Sequence, residues 1–348
     1  MVTIKDVAKL AKVSVATVSR TTGNYGYVAF ETRKKILNAC ETLHYKPNAI
    51  ARSMINKKTN TLGLVIADIH DPFYINIIDV VEETANQHGY SILFCNSNED
   101  IEKENASVRV LIERQVGGII WVPVMEHYDS SRVLSTKPGV KPKKPSSQID
   151  DLIRNEIPFI FLDRYIKDVD ADAVVLNNEK IAYEAAKRLI EKGHRNIVVV
   201  ANSTVQERLS GVKKAFSDFG VAFPSNQILI CDNTAQDACL RVLEYLNHNP
   251  KPMALLALDN LMTLGSIKAI VEKKYIIMED IYVMGFDDID LYEGLTPRSI
   301  STITQPIAAM GQLATEMLIA KIEGKAKDLT HKIVRLEATI KQYEDSIF

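Results

Sequence analysis

Several kinds of protein need sequence features that this 348-residue chain lacks. No apolar run reaches the roughly 18 residues needed to cross a bilayer, and the N-terminal residues have no sustained apolar region of the kind a signal peptide needs. The four cysteines have neither CxxC spacing nor histidine neighbours, which argues against disulfides and zinc sites. We therefore expect a cytoplasmic protein that makes no contact with a membrane.

The common signatures of enzymes are also missing. The sequence has no GxGxxG, GxxxxGK(S/T), GxSxG or HExxH pattern, and its seven histidines show no metal-ligand spacing. These absences remove the usual indications of a nucleotide cofactor, a nucleophilic serine or a catalytic zinc ion. We predict that the protein is not an enzyme and that it uses no cofactor or metal.

Charge is distributed unevenly along the chain. The net charge is -2, but residues 1–60 hold 11 lysines and arginines against 3 acidic residues, a net charge of +8. The remaining residues hold 31 basic against 41 acidic side chains, a net charge of -10. A basic head on an acidic body suits a head that contacts DNA phosphates and a body that does not. A basic face that is merely solvated is the alternative.

Residues 1–46 have the pattern of an all-α helix-turn-helix domain. Apolar residues from Ile4 to Ala11 share one face of a first helix, and Thr3 is placed to cap it. Ser14 is placed to cap a second short helix after a tight turn, and apolar spacing between residues 31 and 45 predicts a third. In such a domain the second helix lies in the major groove of DNA.

This segment resembles the head of LacI/GalR transcription regulators. The resemblance rests on the ordered run IKDVAKLAKVSVATVSR at 4–20, on TRKKI at 32–36 and on YKPNAIARS at 45–53. It implies base contacts in which Arg20 bonds a guanine edge while Val15 and Ala16 touch an apolar group such as a thymine methyl. The other head residues that we expect to contact DNA are Thr3, Ser14, Thr17 and Ser19, of which the last two resemble phosphate anchors.

Residues 47–60 are predicted to form a hinge helix and linker. The helix-compatible part is only about two turns long, which is too short to be stable alone in water. In the resembling family this helix folds on DNA, pairs with the hinge of its dimer partner and inserts an apolar side chain into the minor groove. The resemblance places Met54 as this wedge beside Ala51, and we expect further DNA contacts from Asn48 and Arg52. A plain flexible linker is the alternative.

From Thr61 onward, short apolar runs alternate with amphipathic segments of helical length. Strands are predicted at 62–67, 90–95, 118–122, 159–162, 197–201, 228–231, 254–258 and 281–286, and helices at 74–88, 102–114, 180–191, 208–219, 235–246, 261–271 and 307–322. This alternation predicts an α/β body with doubly wound parallel sheets. Nine or ten strands are better divided between two lobes of five or six than placed in one sheet.

The family resemblance continues through the body, where it implies the fold of periplasmic sugar-binding proteins. It is carried by residues 63–66, 71–74, 162–164, 193–197, 285–288 and 302–306, and by Arg208 with Gly211. On that pattern the effector-binding and dimerisation domain, residues 61–341, crosses three times between an N-lobe of 61–161 plus 292–323 and a C-lobe of 162–291 plus 324–341. A tail follows at 342–348.

A segment rich in proline and lysine at 136–147 interrupts the alternation. Its composition predicts an exposed loop where the resembling family has only a few residues. A tolerated surface insertion and an extra basic contact to DNA or a partner are both consistent with it.

A small-molecule effector is expected in the cleft between the lobes, at the carboxyl ends of the strands. A polyol or nucleoside needs planar charged groups for paired hydrogen bonds and an aromatic face for stacking. The strand-end candidates are Asp68, Phe73, Asp163, Arg164, Arg208, Asp259 and Asp287. The resemblance implies ligand roles for Asp163, Arg208 and Asp287, and stacking for Phe73. Trp121 either joins this site or belongs to the core, and Asp259 has a helix cap as its alternative role.

One departure from the family bears on the identity of the effector. Leu258 stands where an asparagine is common, so we expect the site to lack one amide ligand, with Asn260 too far along the helix to replace it. A sugar or sugar derivative is the first expectation; a purine, a nucleoside or a protein partner is the alternative. A solute-binding protein with no regulatory role is the alternative of a different class.

These observations predict a transcription regulator, by default a repressor. Two chains would pair as a homodimer and set two heads on the half-sites of a pseudo-palindromic operator in double-stranded DNA. Effector binding would change the closure of the lobes and so the spacing of the hinges. The C-terminal residues contain no leucine heptads of the kind that a tetramer would need.

Overall fold

The structure, a computed structural model, describes residues 2–23, 26–45, 59–125, 147–287, 300–325 and 332–341. The chain divides into two compact units, Met1–Asn60 and Thr61–Phe348. Some sequence-based predictions concern residues outside the described ranges, namely the hinge residues Asn48, Ala51, Arg52 and Met54, the segment at 136–146 and the tail at 342–348.

The first unit contains three helices: α1 (Ile4–Ala11), α2 (Val15–Gly23) and α3 (Phe30–Thr42). The carboxylate of Asp6 accepts hydrogen bonds from the backbone nitrogen and the hydroxyl of Thr3, at 2.8 and 2.7 Å, which secures the start of α1. Lys12 ends α1 in the left-handed conformation, with φ 55°. Ser14 caps α2, since its hydroxyl accepts a hydrogen bond from the backbone nitrogen of Thr17 at 3.2 Å.

A small apolar core holds these three helices together. It consists of Val7, Ala8 and Ala11 from α1, Val18 from α2, and Ile36 and Ala39 from α3. Val7, Val18 and Ile36 are fully shielded from solvent, one from each helix. The faces that the sequence pattern assigns to the interior therefore pack together, which leaves the opposite face of α2 exposed.

The second unit contains twelve described strands and eight described helices. The strands are β1 (Thr61–Ile66), β2 (Ser91–Asn96), β3 (Gly118–Trp121), β4 (Phe159–Asp163), β5 (Asp172–Leu176), β6 (Ile197–Asn202), β7 (Ile228–Cys231), β8 (Ala254–Ala257), β9 (Tyr282–Phe286), β10 (Ser301–Thr304), β11 (Ile333–Leu336) and β12 (Thr339–Lys341). The helices are α4 (Pro72–Gln87), α5 (Ile101–Glu113), α6 (Ser147–Arg154), α7 (Asn178–Glu191), α8 (Gln206–Asp218), α9 (Ala235–His248), α10 (Asn260–Glu272) and α11 (Ile307–Ile322).

The strands form two six-stranded sheets, one in each lobe. The N-lobe sheet has the order β11-β5-β4-β3-β1-β2 and is parallel throughout. The C-lobe sheet has the order β12-β10-β9-β8-β6-β7, and β12 is its antiparallel member. In both sheets the first strand of the lobe lies between the second and the third, as in doubly wound folds. The predicted α/β body of two parallel-sheet lobes is confirmed.

Helices cover both faces of each sheet, so each lobe has two apolar layers. In the N-lobe, one layer lies under α4 and α11 and the other under α5 and α6. In the C-lobe, α7 and α8 cover one face, and α9 and α10 cover the other. Strands buried on both faces explain why the sequence shows continuous apolar runs rather than alternating ones.

The lobe boundaries differ from the predicted ones. β4 and β5 continue the N-lobe sheet, so the chain first crosses to the C-lobe after residue 176 instead of after residue 161. β10 pairs with β9 in the C-lobe, whereas it was predicted to belong to the N-lobe. β11 pairs with β5, and only β12 returns to the C-lobe. Among the described residues, the N-lobe therefore comprises 61–125, 147–176, 307–325 and 332–336, and the C-lobe comprises 178–287, 300–304 and 339–341. Apolar periodicity identifies a strand, but it does not identify the strand's neighbour in a sheet.

Gly211 marks a close approach between α8 and α7. A Cβ atom at this position would overlap the backbone carbonyl oxygen of Glu179. We expect Gly211→Ala to lower the free energy of unfolding by about 1–3 kcal/mol, because the two helices must separate. This loss should outweigh the gain in helix propensity of about 1 kcal/mol. Denaturant unfolding of the full chain measures the effect.

The matched control is Ser217→Ala, at an exposed position of the same helix. It should change the free energy of unfolding by no more than about 0.5 kcal/mol. Equal unfolding midpoints for the two variants would contradict the close approach of the helices.

Candidate DNA-binding face and effector cleft

The exposed side of α2 carries the residues predicted to read DNA bases. Val15, Ala16 and Arg20 are exposed, and Val15 is 41% accessible although it is apolar. On the opposite side, Val18 and Thr21 are buried against the other helices. A helix that buries one face and presents an arginine beside small apolar side chains has the chemistry of a major-groove reader.

Of the other head residues expected to contact DNA, Thr3, Ser14 and Thr17 lie around the starts of α1 and α2, and Ser19 lies within α2. Thr3 and Ser14 are exposed, and Thr17 and Ser19 are partly exposed. The hydroxyls of Ser14 and Thr17 are 2.8 Å apart, and Thr3 is held by Asp6. Thr3, Ser14 and Thr17 therefore help to define the starts of α1 and α2, in addition to the DNA contacts expected of them.

A cavity of about 740 Å³ lies between the two lobes of the body. Six of the predicted effector residues line it: Phe73, Asp163, Arg164, Arg208, Asp259 and Asp287. They follow strands or begin helices in both lobes, as expected for the carboxyl ends of parallel sheets. The volume lies in the range of small-molecule sites.

Two of the strand ends are shaped by left-handed residues. Asp163 at the end of β4 has φ 66°, and Asp287 directly after β9 has φ 62°. Aspartate tolerates this conformation better than most other residues with a Cβ atom do. Both aspartates lie where the chain turns away from its sheet, at the lining of the cavity.

Arg208 is the buried cation of the C-lobe wall. Its Nε donates to Oδ1 of Asn178 at 2.7 Å, and Nη1 donates to the carbonyl oxygen of Leu258 at 2.8 Å. The guanidinium lies 3.7 Å from the centre of the Phe286 ring, which adds a cation–π contact. These three contacts fix the plane of the guanidinium at the wall of the cavity.

A second network fixes the N-lobe wall. Arg164 donates through Nη1 to both carboxylate oxygens of Glu99, at 2.8 and 3.1 Å, and its Nε lies 3.5 Å from Oδ2 of Asp163. The hydroxyl of Tyr74 donates to the same Oδ2 atom at 2.9 Å. Burial raises the pKa of Tyr74 well above its usual value, so this hydroxyl remains a donor.

Three carboxyl groups are crowded around the floor of the cavity. Burial and the nearby Asp259, with a smaller contribution from Asp287, raise the pKa of Asp71 to about 8, although the hydrogen bonds from Asn260 and Phe73 oppose the shift. Burial also raises the pKa of Asp287 to about 6, although Arg208 opposes the shift. The pKa of Asp259 is raised by burial and opposed by Arg208 in the same way. The floor therefore contains many hydrogen-bond acceptors, and few cations lie near them.

Sequence reasoning missed several lining residues. These are Asp71, Tyr74, Asn178, Asn260 and Gln305. Gln305 donates through Nε2 to Oδ1 of Asp287 at 2.8 Å, and within the described ranges its buried Oε1 has no hydrogen-bond partner. Asp71, Tyr74 and Gln305 belong to the family motifs at 71–74 and 302–306. These motifs could therefore have identified three of the five missed residues as part of the site.

Two predicted effector residues are not part of the cavity lining. Trp121 is fully buried in the core beside Phe161, with their ring centres 5.5 Å apart, and its Nε1 donates to Glu104 at 3.0 Å. The core alternative for Trp121 is correct, because its side chain packs into the layer under α5 and α6. Asp68 instead accepts hydrogen bonds from the backbone and ring of His70, at 2.9 and 2.8 Å.

Position 258 contributes no side-chain amide to the cavity, as expected, but the cavity lining does contain the amide of Asn260. Leu258 is fully buried, and its backbone carbonyl oxygen accepts a hydrogen bond from Arg208. Asp259 caps α10 by accepting a hydrogen bond from the backbone nitrogen of Leu261 at 3.0 Å, and it lines the cavity as well. Asn260 then occupies the first position of α10, where its amide lies in the cavity lining.

Neither membrane spans nor metal sites are found in the described part of the chain. Among these residues, no helix has both the length and the apolar character that a membrane crossing requires. The same residues contain no group of three or more histidine, cysteine, aspartate and glutamate side chains placed to hold a metal ion.

The raised pKa values of Asp71 and Asp287 predict an unusual dependence of stability on pH. A carboxyl group whose folded pKa lies above its unfolded value stabilises the folded state while protonated, and this contribution is lost as pH rises through the folded pKa. We expect the melting temperature of the full chain to fall between about pH 5 and about pH 8.5, and Asp71→Asn to flatten that fall.

The control variant is Asp280→Asn, at an exposed carboxylate whose pKa is lowered by its hydrogen bonds to Ile276 and Lys251. It should leave the slope of melting temperature against pH unchanged over this range. Identical slopes for Asp71→Asn and the wild-type chain would show that Asp71 does not hold a proton in the folded state.

Three family descriptions match this chain. Residues 3–48 match "Bacterial regulatory proteins, lacI family". Residues 59–137 match "Periplasmic binding proteins and sugar binding domain of LacI family", and residues 186–342 match "Periplasmic binding protein-like domain". The matches follow the division into a helical head and a two-lobed body.

Curated relatives and solved structures extend this likeness along the chain. The HTH-type transcriptional repressor PurR of Aliivibrio fischeri (strain MJ11) is 31% identical over 98% of this chain and 97% of its own. The ribose operon repressor of Halalkalibacterium halodurans is 32% identical over 94% and 92%. The lac repressor dimer bound to operator has a similar fold, with a TM-score of 0.79 at 22% identity over 98% of both chains.

A further solved structure, a putative ribose operon repressor from Burkholderia thailandensis, has a TM-score of 0.66 at 25% identity, over 82% of this chain and 99% of its own. The predicted family and the prediction that the protein is not an enzyme are confirmed by these relatives. The helix-turn-helix head, the two-lobed body and relatives above 30% identity over nearly the whole chain show that this protein belongs to the LacI family of DNA-binding transcription regulators.

Proposed function

We propose that the protein is a repressor whose affinity for its operator is set by an uncharged sugar, or a close derivative, bound between the lobes. The observation that carries this proposal is the lining of the cavity. Arg208 and Asp163 are fixed side chains that suit paired hydrogen bonds to hydroxyl groups, and Phe73 supplies an aromatic side chain for an apolar sugar face.

The balance of charge in the lining supports an uncharged ligand. Its acidic side chains are Asp71, Asp163, Asp168, Glu179, Glu207, Asp259 and Asp287, and its cations are Arg164, Lys167 and Arg208, so acidic groups outnumber cations even with Asp71 protonated. Hydroxyl groups can donate to such acceptors, whereas a phosphate group would be repelled by the excess of negative charge. Relatives named ribose operon repressor favour a pentose as the first candidate.

A purine or nucleoside is the second candidate. Relatives named PurR support it, and a cavity of about 740 Å³ has room for a base as well as a sugar. The aromatic pair Phe73 and Tyr74, with ring centres 5.0 Å apart, offers a surface on which a base could stack.

On DNA, we infer a homodimer acting in the cytoplasm on a pseudo-palindromic operator. The similar fold of a lac repressor dimer that was solved on its operator supports this arrangement. Each α2 helix reads one half-site through Val15, Ala16 and Arg20. Met54 and Ala51 of the hinge contact the minor groove, and Asn48 and Arg52 add further DNA contacts. Closure of the lobes changes the spacing of the two hinges.

Arg20→Ala tests the assignment of the base-reading face. The variant should lose about 1–3 kcal/mol of operator binding and relax the preference at one base pair in each half-site, because a guanidinium donates two hydrogen bonds to a guanine edge. Selection of bound duplexes from a random library, followed by sequencing, measures the preference of the full chain.

Lys35→Ala is the control, since it removes an exposed positive charge from α3. It should weaken binding to all sequences alike, through the loss of phosphate attraction. An unchanged base preference in the Arg20→Ala variant would remove this residue from the base-reading role.

A thermal-shift panel tests the class of effector. It contains free pentoses and hexoses, their phosphate esters, disaccharides, purines and nucleosides. We expect a free sugar to raise the melting temperature with concentration, while the corresponding phosphate ester does not. Arg208→Ala should abolish the shift, because it removes the cation of the C-lobe wall.

Arg241→Ala, which changes an arginine of α9 outside the cavity lining, should keep the shift. A response to purines or nucleosides alone would favour the second candidate. A response to a phosphate ester in preference to its free sugar would overturn the inference drawn from the charge of the lining.

A further inference from the structure

One side-chain hydrogen bond spans the cavity from lobe to lobe. Asn260, the first residue of α10 in the C-lobe, donates from Nδ2 to Oδ1 of Asp71. Asp71 is the residue that caps α4 in the N-lobe. The two residues are 2% and 8% exposed, so the bond lies in an environment from which water is largely excluded.

We propose that Asp71 and Asn260 form a clasp between the lobes, which favours the closed cleft and thereby sets the affinity for the effector. The residues act by positioning the two walls of the cavity. This inference rests on the proposed function in one respect, which is that the effector binds between these walls.

Each half of the clasp is held by the helix to which it belongs. Oδ1 of Asp71 also accepts a hydrogen bond from the backbone nitrogen of Phe73 at 2.8 Å, so α4 fixes its position. Asp259 caps α10, and this cap places Asn260 at the first helical position. Because α4 and α10 belong to different lobes, the bond can form only when the lobes approach each other.

The charges around the clasp explain why an amide suits position 260. Asp259 and Asp287, both in the C-lobe, raise the pKa of Asp71 through their negative charge. In the N-lobe, the hydroxyl of Tyr74 lies near Asp71. Arg208 partly balances the two C-lobe carboxylates. An amide donates to Asp71 in either protonation state without adding negative charge, whereas a carboxylate at position 260 would repel Asp71 once Asp71 is ionised.

An exchange of the two side chains gives the sharpest test. At about pH 9, where Asp71 with its pKa of about 8 is ionised, Asn260→Asp should open the cleft, because two carboxylates then face each other. The double variant Asp71→Asn with Asn260→Asp should close it again, because the hydrogen bond is restored in the opposite direction. The control is Asn202→Asp, a buried asparagine of the C-lobe whose amide donates to Asn233 in the same lobe.

Hydrogen–deuterium exchange of the full chain without added ligand, at about pH 9 where Asp71 is ionised and followed by mass spectrometry, measures opening at the first turns of α4 and α10. We expect Asn260→Asp to speed exchange about tenfold in both turns, the magnitude expected for a lost hydrogen bond to a charged group. The double variant should return close to the wild-type rate. Asn202→Asp should leave the first turn of α4 unchanged.

Unchanged exchange at both turns in Asn260→Asp would overturn the clasp, and so would failure of the double variant to restore protection. If Asn260→Asp does not fold, Asn260→Ala removes the donor without adding charge and should speed exchange at the same two turns. Calorimetry with D-ribose is the second measurement, with affinity expected to fall about tenfold in Asn260→Asp and to recover in the double variant.

The two measurements separate this inference from the proposed function. If D-ribose binds neither the wild-type chain nor any variant, the proposed pentose effector fails, and the exchange data alone then decide for or against the clasp. If D-ribose binds all variants equally while exchange differs, the clasp does not set effector affinity and the proposal is wrong.

Discussion

Arg208 is the buried cation on which the geometry of the effector cavity depends. It joins a side-chain amide of α7, a backbone carbonyl at the end of β8 and the ring of Phe286. Its charge also opposes the rise in pKa that burial causes in Asp259 and Asp287. Buried carboxylates are costly unless a cation or hydrogen-bond donor compensates them. Arg208 therefore offsets part of the cost of burying Asp259 and Asp287 at the floor of the cavity, and Arg164 adds a smaller contribution at Asp259.

Because the walls of the cavity come from both lobes, closure of the lobes changes the distance between these walls. Both sheets are doubly wound, so their carboxyl ends meet at the cavity. The chain crosses between the lobes after β5, after β10 and after β11, and three short connections allow the lobes to rotate as units. An effector that contacts both walls binds the closed form better, and this difference in affinity is what shifts the population.

Sequence patterns predicted the head more fully than the body. The cap at Thr3 and the positions of Val15 and Arg20 follow from local spacing, which the short helices preserve. β5 and β10–β12 were missed as strands, and the lobe boundaries were wrong, because sheet partners are set by contacts between distant segments. Arg208 and Asp287 could be predicted through the family motif. The role of Asn260 could not, because it depends on Asp71, which is 189 residues away in the sequence.

In the proposed function, binding of the effector and binding of the operator each change the affinity of the protein for the other. The most direct test is the affinity of the full chain for the sugar identified in the panel, measured with and without a saturating concentration of selected operator DNA. We expect operator to change effector affinity by the same factor by which effector changes operator affinity, a factor of about 5 to 150. An effector affinity that is the same with and without operator would contradict it.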